Sequence, residues 1–179
     1  MKPSLSELEA DSWVFALDIY ARRDIADACL SLQNRAGVDV MMLLVIAFAA
    51  ARLRILLTPA EVGELDQACR PWREQIVWPL RSIRSGLESG PPPAPSSETE
   101  QFRSNIKTVE LAAERLQNIL LTERLPRRTP KADPVTAEEV RTVLGCVVTL
   151  FVDKRGKEPD ADLIPLIDKI VDALMHQVR

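Results

Sequence analysis

The sequence predicts an all-α protein: a helical bundle around one fully apolar central helix, with a C-terminal helical hairpin. Three observations carry that expectation. From Val40 to Ala51 no side chain is polar, so a helix there is apolar on every side and has to be wrapped by protein or by lipid. The run is about a dozen residues, short of the ~20 that a bilayer core requires, which favours protein. Helix-start signals recur along the chain, with Ser6 and Glu9, Thr58 and Glu61, and Thr136 and Glu139 all at capping-box spacing. The 6 glycines and 13 prolines fall almost entirely between the apolar-periodic stretches. The single strand-like run, Val147 to Val152, has helical flanks and no partner strand.

The first helix starts at Ser4 or Ser6 and runs to about Ala21, with Leu8, Trp13, Ala16, Leu17 and Tyr20 on one face. Asp24 caps a second, carrying Ile25, Ala28, Cys29 and Leu32, and Gly37 stops it. Asp39 caps the central helix, Asp39–Leu57, where Arg52 and Arg54 suit the negative end of the helix dipole. Thr58-Pro59-Ala60-Glu61 opens a fourth helix, to about Cys69. Pro71 opens a fifth, with Trp72, Ile76, Pro79, Leu80, Ile83 and Leu87 as its inward face and a kink at Pro79. Residues 89–97 are a Pro-rich linker. Glu98 to Leu125 then forms one long amphipathic helix with Phe102, Ile106, Val109, Ala113, Leu116 and Leu120 at three-to-four spacing. After a basic linker, 126–135, Thr136 opens a helix to about Lys154, Gly156 to Asp160 turns the chain, and Leu163 to Val178 is the last helix. The expected organisation is a bundle domain over 4–125, the linker 126–135 and a hairpin over 136–179.

Composition narrows the function. A net charge of −3 gives no argument for nucleic acid or for an acidic tail. The three cysteines, Cys29, Cys69 and Cys146, are far apart and in apolar contexts, as expected of buried free thiols in a reducing cytoplasm. With His176 the sole histidine and near the C-terminus, no metal site is expected. The N-terminal residues lack an apolar signal-peptide core. A phosphate-binding glycine loop, a nucleophile elbow and an H-E-x-x-H pair are all missing, so no catalytic residues and no cofactor are assigned.

Two places remain where a site could be built. Asp39, as a helix cap, needs no further role; alternatively Tyr20, Gln33 and Asp39 line a polar pocket at the head of the central helix, with Arg70 and Arg73 supplying charge for an anionic ligand. The second is the arginine set Arg70, Arg73, Arg81 and Arg84, interleaved with Trp72 and Trp78. Arg73, Val77, Arg81 and Arg84 share one helix face. Guanidinium groups grip carboxylates in bidentate fashion, so Arg73, Trp78, Arg81 and Arg84 form a candidate partner-binding surface. The plainer alternative is a solvated face paired with Glu74 and the acids between Glu61 and Asp66.

Trp13 to Ala21, Ala28-Cys29-Leu30-Ser31-Leu32-Gln33, and Ala36-Gly37-Val38-Asp39-Val40 before an aliphatic run form an ordered set of motifs. Arg70-Pro71-Trp72-Arg73-Glu74, Pro79-Leu80-Arg81 and Val109 to Arg115 continue it. Over about residues 12 to 121 the chain resembles a family of small helical proteobacterial proteins catalogued as a domain of unknown function. The resemblance implies fold and lineage and brings no activity. Members usually carry Asn after the Asp-Val pair, where this chain has Met41. The functional expectation is a non-catalytic cytoplasmic module that engages another protein, through the sixth helix or the Arg-Trp helix. The alternative is a small anionic ligand or weak catalysis in the pocket at the head of the central helix, and a third is membrane-surface association.

Overall fold

The computed structural model describes residues 4–156 and 161–177, and every regular element among them is helical. The helices are α1 (Leu5–Tyr20), α2 (Arg23–Ala36), α3 (Val40–Ala51), α4 (Pro59–Trp72), α5 (Trp78–Gly86), α6 (Ser97–Glu123), α7 (Ala137–Lys154) and α8 (Ile164–Gln177). The expected turn over 156–160 and the end of the last helix at Val178 fall largely outside the described residues.

Helix α3 is the axis. Asp39 caps it, accepting the Met42 N–H on Oδ1 at 3.1 Å. Every residue from Met42 to Ala50 is at most 2% exposed. A cylinder with no polar stripe has no side to turn to water, so α1, α2, α6, α7 and α8 all pack against it. It is shorter than the expected Asp39–Leu57. The helix stops at Ala51, Arg54 takes a left-handed φ of 54°, and the Ile55 N–H turns back to Ala49 O at 2.9 Å. That reversal leaves Arg52 and Arg54 exposed and returns Ile55 and Leu57 to the core, which a continued helix could not do for all four.

The other ends follow local chemistry. Ser4 and Glu7, not Ser6 and Glu9, form the capping box of α1. Arg22 is the N-cap of α2, with Asp24 in its first turn, where a carboxylate still suits the dipole. Gly37 closes α2 at φ 71°, a conformation only glycine adopts freely.

Pro71 does not open a new helix. It lies inside α4, and α4 and α5 run on through one π-helical turn, Arg73–Val77. Pro79, without an N–H and with a ring that crowds the preceding turn, comes directly after that widened turn. The face turned inward is the arginine face. Arg73 and Val77 are buried, whereas Ile76 and Ile83, expected inside, are 37% and 48% exposed.

Helix α6 is turned the same way. Its buried residues are Glu110, Ala113, Gln117, Asn118, Leu121 and Thr122, while Phe102, Val109 and Leu116 are each about half exposed. Polar partners on α1, α3, α4 and α5 make this orientation possible. The hairpin α7–α8 packs on the rest, α7 against α3 and α4 and α8 against α2, so its apolar residues share one core with the bundle. Residues of the basic linker are fastened to the α3–α4 turn, with the Lys131 N–H on Arg54 O at 3.0 Å and Arg128 on Glu61 at 2.6 Å.

Candidate ligand-binding site

Two sets of polar side chains meet near the head of α3, one sealed in the core and one around a cavity. The sealed set is centred on Arg73, which is 1% exposed. Its Nη1 donates to Asp39 Oδ2 at 3.2 Å and its Nη2 to Asp66 Oδ1 at 2.9 Å. Gln117 Nε2 donates to the same Asp39 Oδ2 at 2.5 Å and lies 3.0 Å from Cys69 Sγ. Asp66 Oδ2 accepts from Arg70 Nη2 at 2.7 Å and from Lys154 Nζ. The Arg73 guanidinium is sandwiched by rings, 5.0 Å from the Phe151 centroid and 5.4 Å from that of Trp78. Charges this deep persist only when paired and hydrogen-bonded. Burial opposes the charged form of Asp66, but Lys154, Arg70 and Arg73 outweigh it and keep the carboxyl below its ordinary value. Burial, reinforced by Asp39, pushes the Cys69 thiol up to about 12.

The second set surrounds a cavity of about 390 Å³. Its floor is the first turns of α3, Val40, Met41 and Leu44, and its apolar walls are Trp13, Leu17, Leu30 and Leu111. Tyr20, Gln33, Arg81, Arg84, Lys107, Glu110 and Glu114 supply its polar groups. Arg81 is fully engaged, donating to Glu110 Oε1 at 2.9 Å, Glu114 Oε1 at 2.6 Å and Gln33 Oε1 at 2.8 Å. Arg84 Nε donates to Glu110 Oε2 at 2.5 Å. Two arginines thus offset two glutamates, and among the described residues no ion pair engages Lys107. The wall carries one positive charge in excess. Burial raises the Glu114 carboxyl above its ordinary value, Arg81 opposing and Glu110 adding to the effect. Burial also raises the Tyr20 hydroxyl, so it stays a protonated donor at neutral pH. Met41, on the floor, puts its Sδ 3.7 Å from Asn118 Nδ2.

The structure therefore divides the residues singled out in the sequence. Tyr20 and Gln33 line the cavity; Asp39 and Arg73 belong to the sealed set, and Arg70 guards its edge, so none of these three reaches the cavity. The proposed partner surface is corrected. Arg73 lies in the interior, and Arg81 and Arg84 point at Glu110 and Glu114; of that group only Trp78 is exposed, at 40%, and its ring also covers Arg73. Asp66 does pair with the arginines, inside the protein rather than on a solvated face. Sequence reasoning missed Trp13, Lys107, Glu110, Leu111 and Glu114 as cavity residues. The available signal was Glu110 and Glu114 one turn apart, opposite Arg81 and Arg84 across a short linker.

Fold and site together define an all-helical protein with a buried ion network and a mixed apolar and charged cavity at the head of its central helix. A family model described as "Protein of unknown function (DUF2390)" matches residues 11–121, and the chain belongs to that family. The matched stretch contains every residue that lines the cavity, while Phe151 and Lys154 of the sealed set lie beyond it. Neither a curated protein nor a solved structure matches the chain.

Proposed function

We propose that the protein is a non-catalytic binding module whose cavity takes a small ligand with an apolar body and a single negative charge. The observation that carries this is the cavity itself. Its volume of about 390 Å³ falls within the range of small-molecule sites, which combine an apolar lining with a few converging polar groups. Trp13, Leu17, Leu30, Met41, Leu44 and Leu111 supply the lining, and Lys107 supplies the positive charge that the two arginine–glutamate sets leave over. A cytoplasmic location with free thiols is part of the same reading; Cys29 and Cys69 are buried, and Cys146, expected buried, is partly accessible.

The test uses Trp13 as reporter. Decanoate should change the tryptophan emission saturably and raise the melting temperature, since a ligand that binds only the folded state stabilises it. Decanol and decylamine at the same concentration should act weakly or not at all, and Lys107→Glu should lower the decanoate affinity about tenfold. Equal responses to all three probes, or to none, would refute the reading. A second reading, engagement of another protein, is favoured by a different observation, the apolar row on the outside of α6.

A further inference from the structure

We propose that the cleft between α5 and the ends of α2 and α7 is a site for a phosphoryl group, carried by inorganic phosphate or by the monoester of a small molecule. The cleft holds about 250 Å³. Trp78, Ser82 and Ser85 of α5 line it with Gly37, which closes α2, and Arg155, just past α7. Gln33 and Arg81, joined at 2.8 Å, line both this cleft and the larger cavity. Arg155 is held in position. Its Nη1 donates to Arg35 O at 3.4 Å, and its guanidinium lies against Gly37, where a Cβ would fall 2.4 Å from Nε and 2.6 Å from Cζ and Nη2. A cation at the end of α2 suits that helix's dipole. This plainer role occupies one of the five guanidinium N–H groups and leaves the others open. Among the described residues no carboxylate pairs with Arg155.

The unspent polar groups of the cleft identify the ligand. Trp78, Ser82 and Ser85 follow at four- and three-residue spacing and share one side of α5. Among the described residues the Trp78 indole N–H and the two serine hydroxyls make no hydrogen bond. The Gln33 amide nitrogen makes none either, its Oε1 being taken by Arg81. Arg81 spends one N–H on each of Glu110, Glu114 and Gln33 and keeps the remaining two. Every unspent group is therefore a donor, the serines accepting as well, and no carboxylate lines the cleft. Glu88, beyond the end of α5, is taken by Arg103. Donors in surplus around one unmatched guanidinium select an anion. They come from three elements, which suits the three spread oxygens of a phosphoryl group better than the two coplanar oxygens of a carboxylate. Trp78, 40% exposed, offers the body of a small ester an apolar surface.

Proton–nitrogen NMR of the full chain in a chloride buffer, titrated with inorganic phosphate and with phenyl phosphate, tests this. Both probes should give saturable shifts at the Trp78 indole N–H and the Gly37 amide. The indole N–H of Trp72, held by Ala113 O, and that of Trp13, in the larger cavity, should stay in place. Sodium chloride at matched ionic strength should not reproduce the shifts. Arg155→Met should weaken the dissociation constant for phenyl phosphate about tenfold, with far-UV circular dichroism unchanged because Arg155 is exposed beyond the end of α7. Arg115→Met, at an exposed arginine of α6, should leave that constant unaltered. No saturable shift at Trp78, shifts that chloride reproduces, or an affinity indifferent to Arg155→Met overturns the proposal. So do shifts at Trp13 with Trp78 unmoved, which would give the anion to the larger cavity.

Discussion

Replacing Arg73 by Met keeps most of the side-chain length and its packing between Phe151 and Trp78, but removes the charge that Asp39 and Asp66 share. The two carboxylates do not suffer equally. Asp66 retains Arg70 and Lys154, whereas Asp39 is left with the Met42 N–H and the Gln117 amide, and both aspartates are at most 6% exposed. Removing one partner of a buried pair costs about 3–5 kcal/mol, and the surviving partners of Asp66 put this case near the lower end, about 3 kcal/mol. For a chain of this size that is roughly 6–12 °C in melting temperature, read by calorimetry at pH 7. Asp39→Asn in the same background removes the orphaned charge and keeps an N-cap, so the double variant should regain about 1 kcal/mol. A single variant melting within about 2 °C of the wild type, or a double variant below the single, would show that the network does not carry the charge balance assigned to it.

The Asp66 carboxyl is depressed below its ordinary 3.8, so the stability it lends is complete above that pH and is lost as pH falls through its lower folded value; acid unfolding should begin at higher pH in Lys154→Ala. Glu139, bonded by Lys131 and by the Thr136 backbone, should titrate at about 2, and NMR should show it returning towards 4.5 in Lys131→Ala. Burial pushes Cys29 up to about 12, as it does Cys69, while Cys146 is partly accessible. A thiol reagent should therefore label Cys146 first in the native protein and all three after denaturation. Gly37→Ala should cost about 1 kcal/mol for its positive φ, with Arg155 swinging aside to admit the methyl group. Calorimetry reads that loss.

How much of this was legible in the sequence depended on whether the signal was local. The caps of α3, α4 and α7 and the Gly37 stop were readable because capping uses residues three or four apart. The burial of α3 was readable because a run with no polar residue allows no other placement. The orientations of α5 and α6 were not. Apolar periodicity finds the inner face only when the inside is apolar, and here Arg73, Arg81, Glu110 and Gln117 find their partners 26 or more residues away along the chain, apart from the Arg73–Asp66 pair. The same long-range pairing hid the cavity. Of the pocket residues named from the sequence only Tyr20 and Gln33 border the cavity, and its charged wall needed α6 folded back on α5.

A methyl-resolved NMR titration with decanoate puts the central claim, a ligand cavity at the head of α3, to the most direct test. The account predicts saturable shifts at Leu17, Leu30, Met41, Leu44 and Leu111, with Leu144 and Val147 of α7 unmoved. Shifts spread through the α7–α8 core, or none at those five residues, would contradict it.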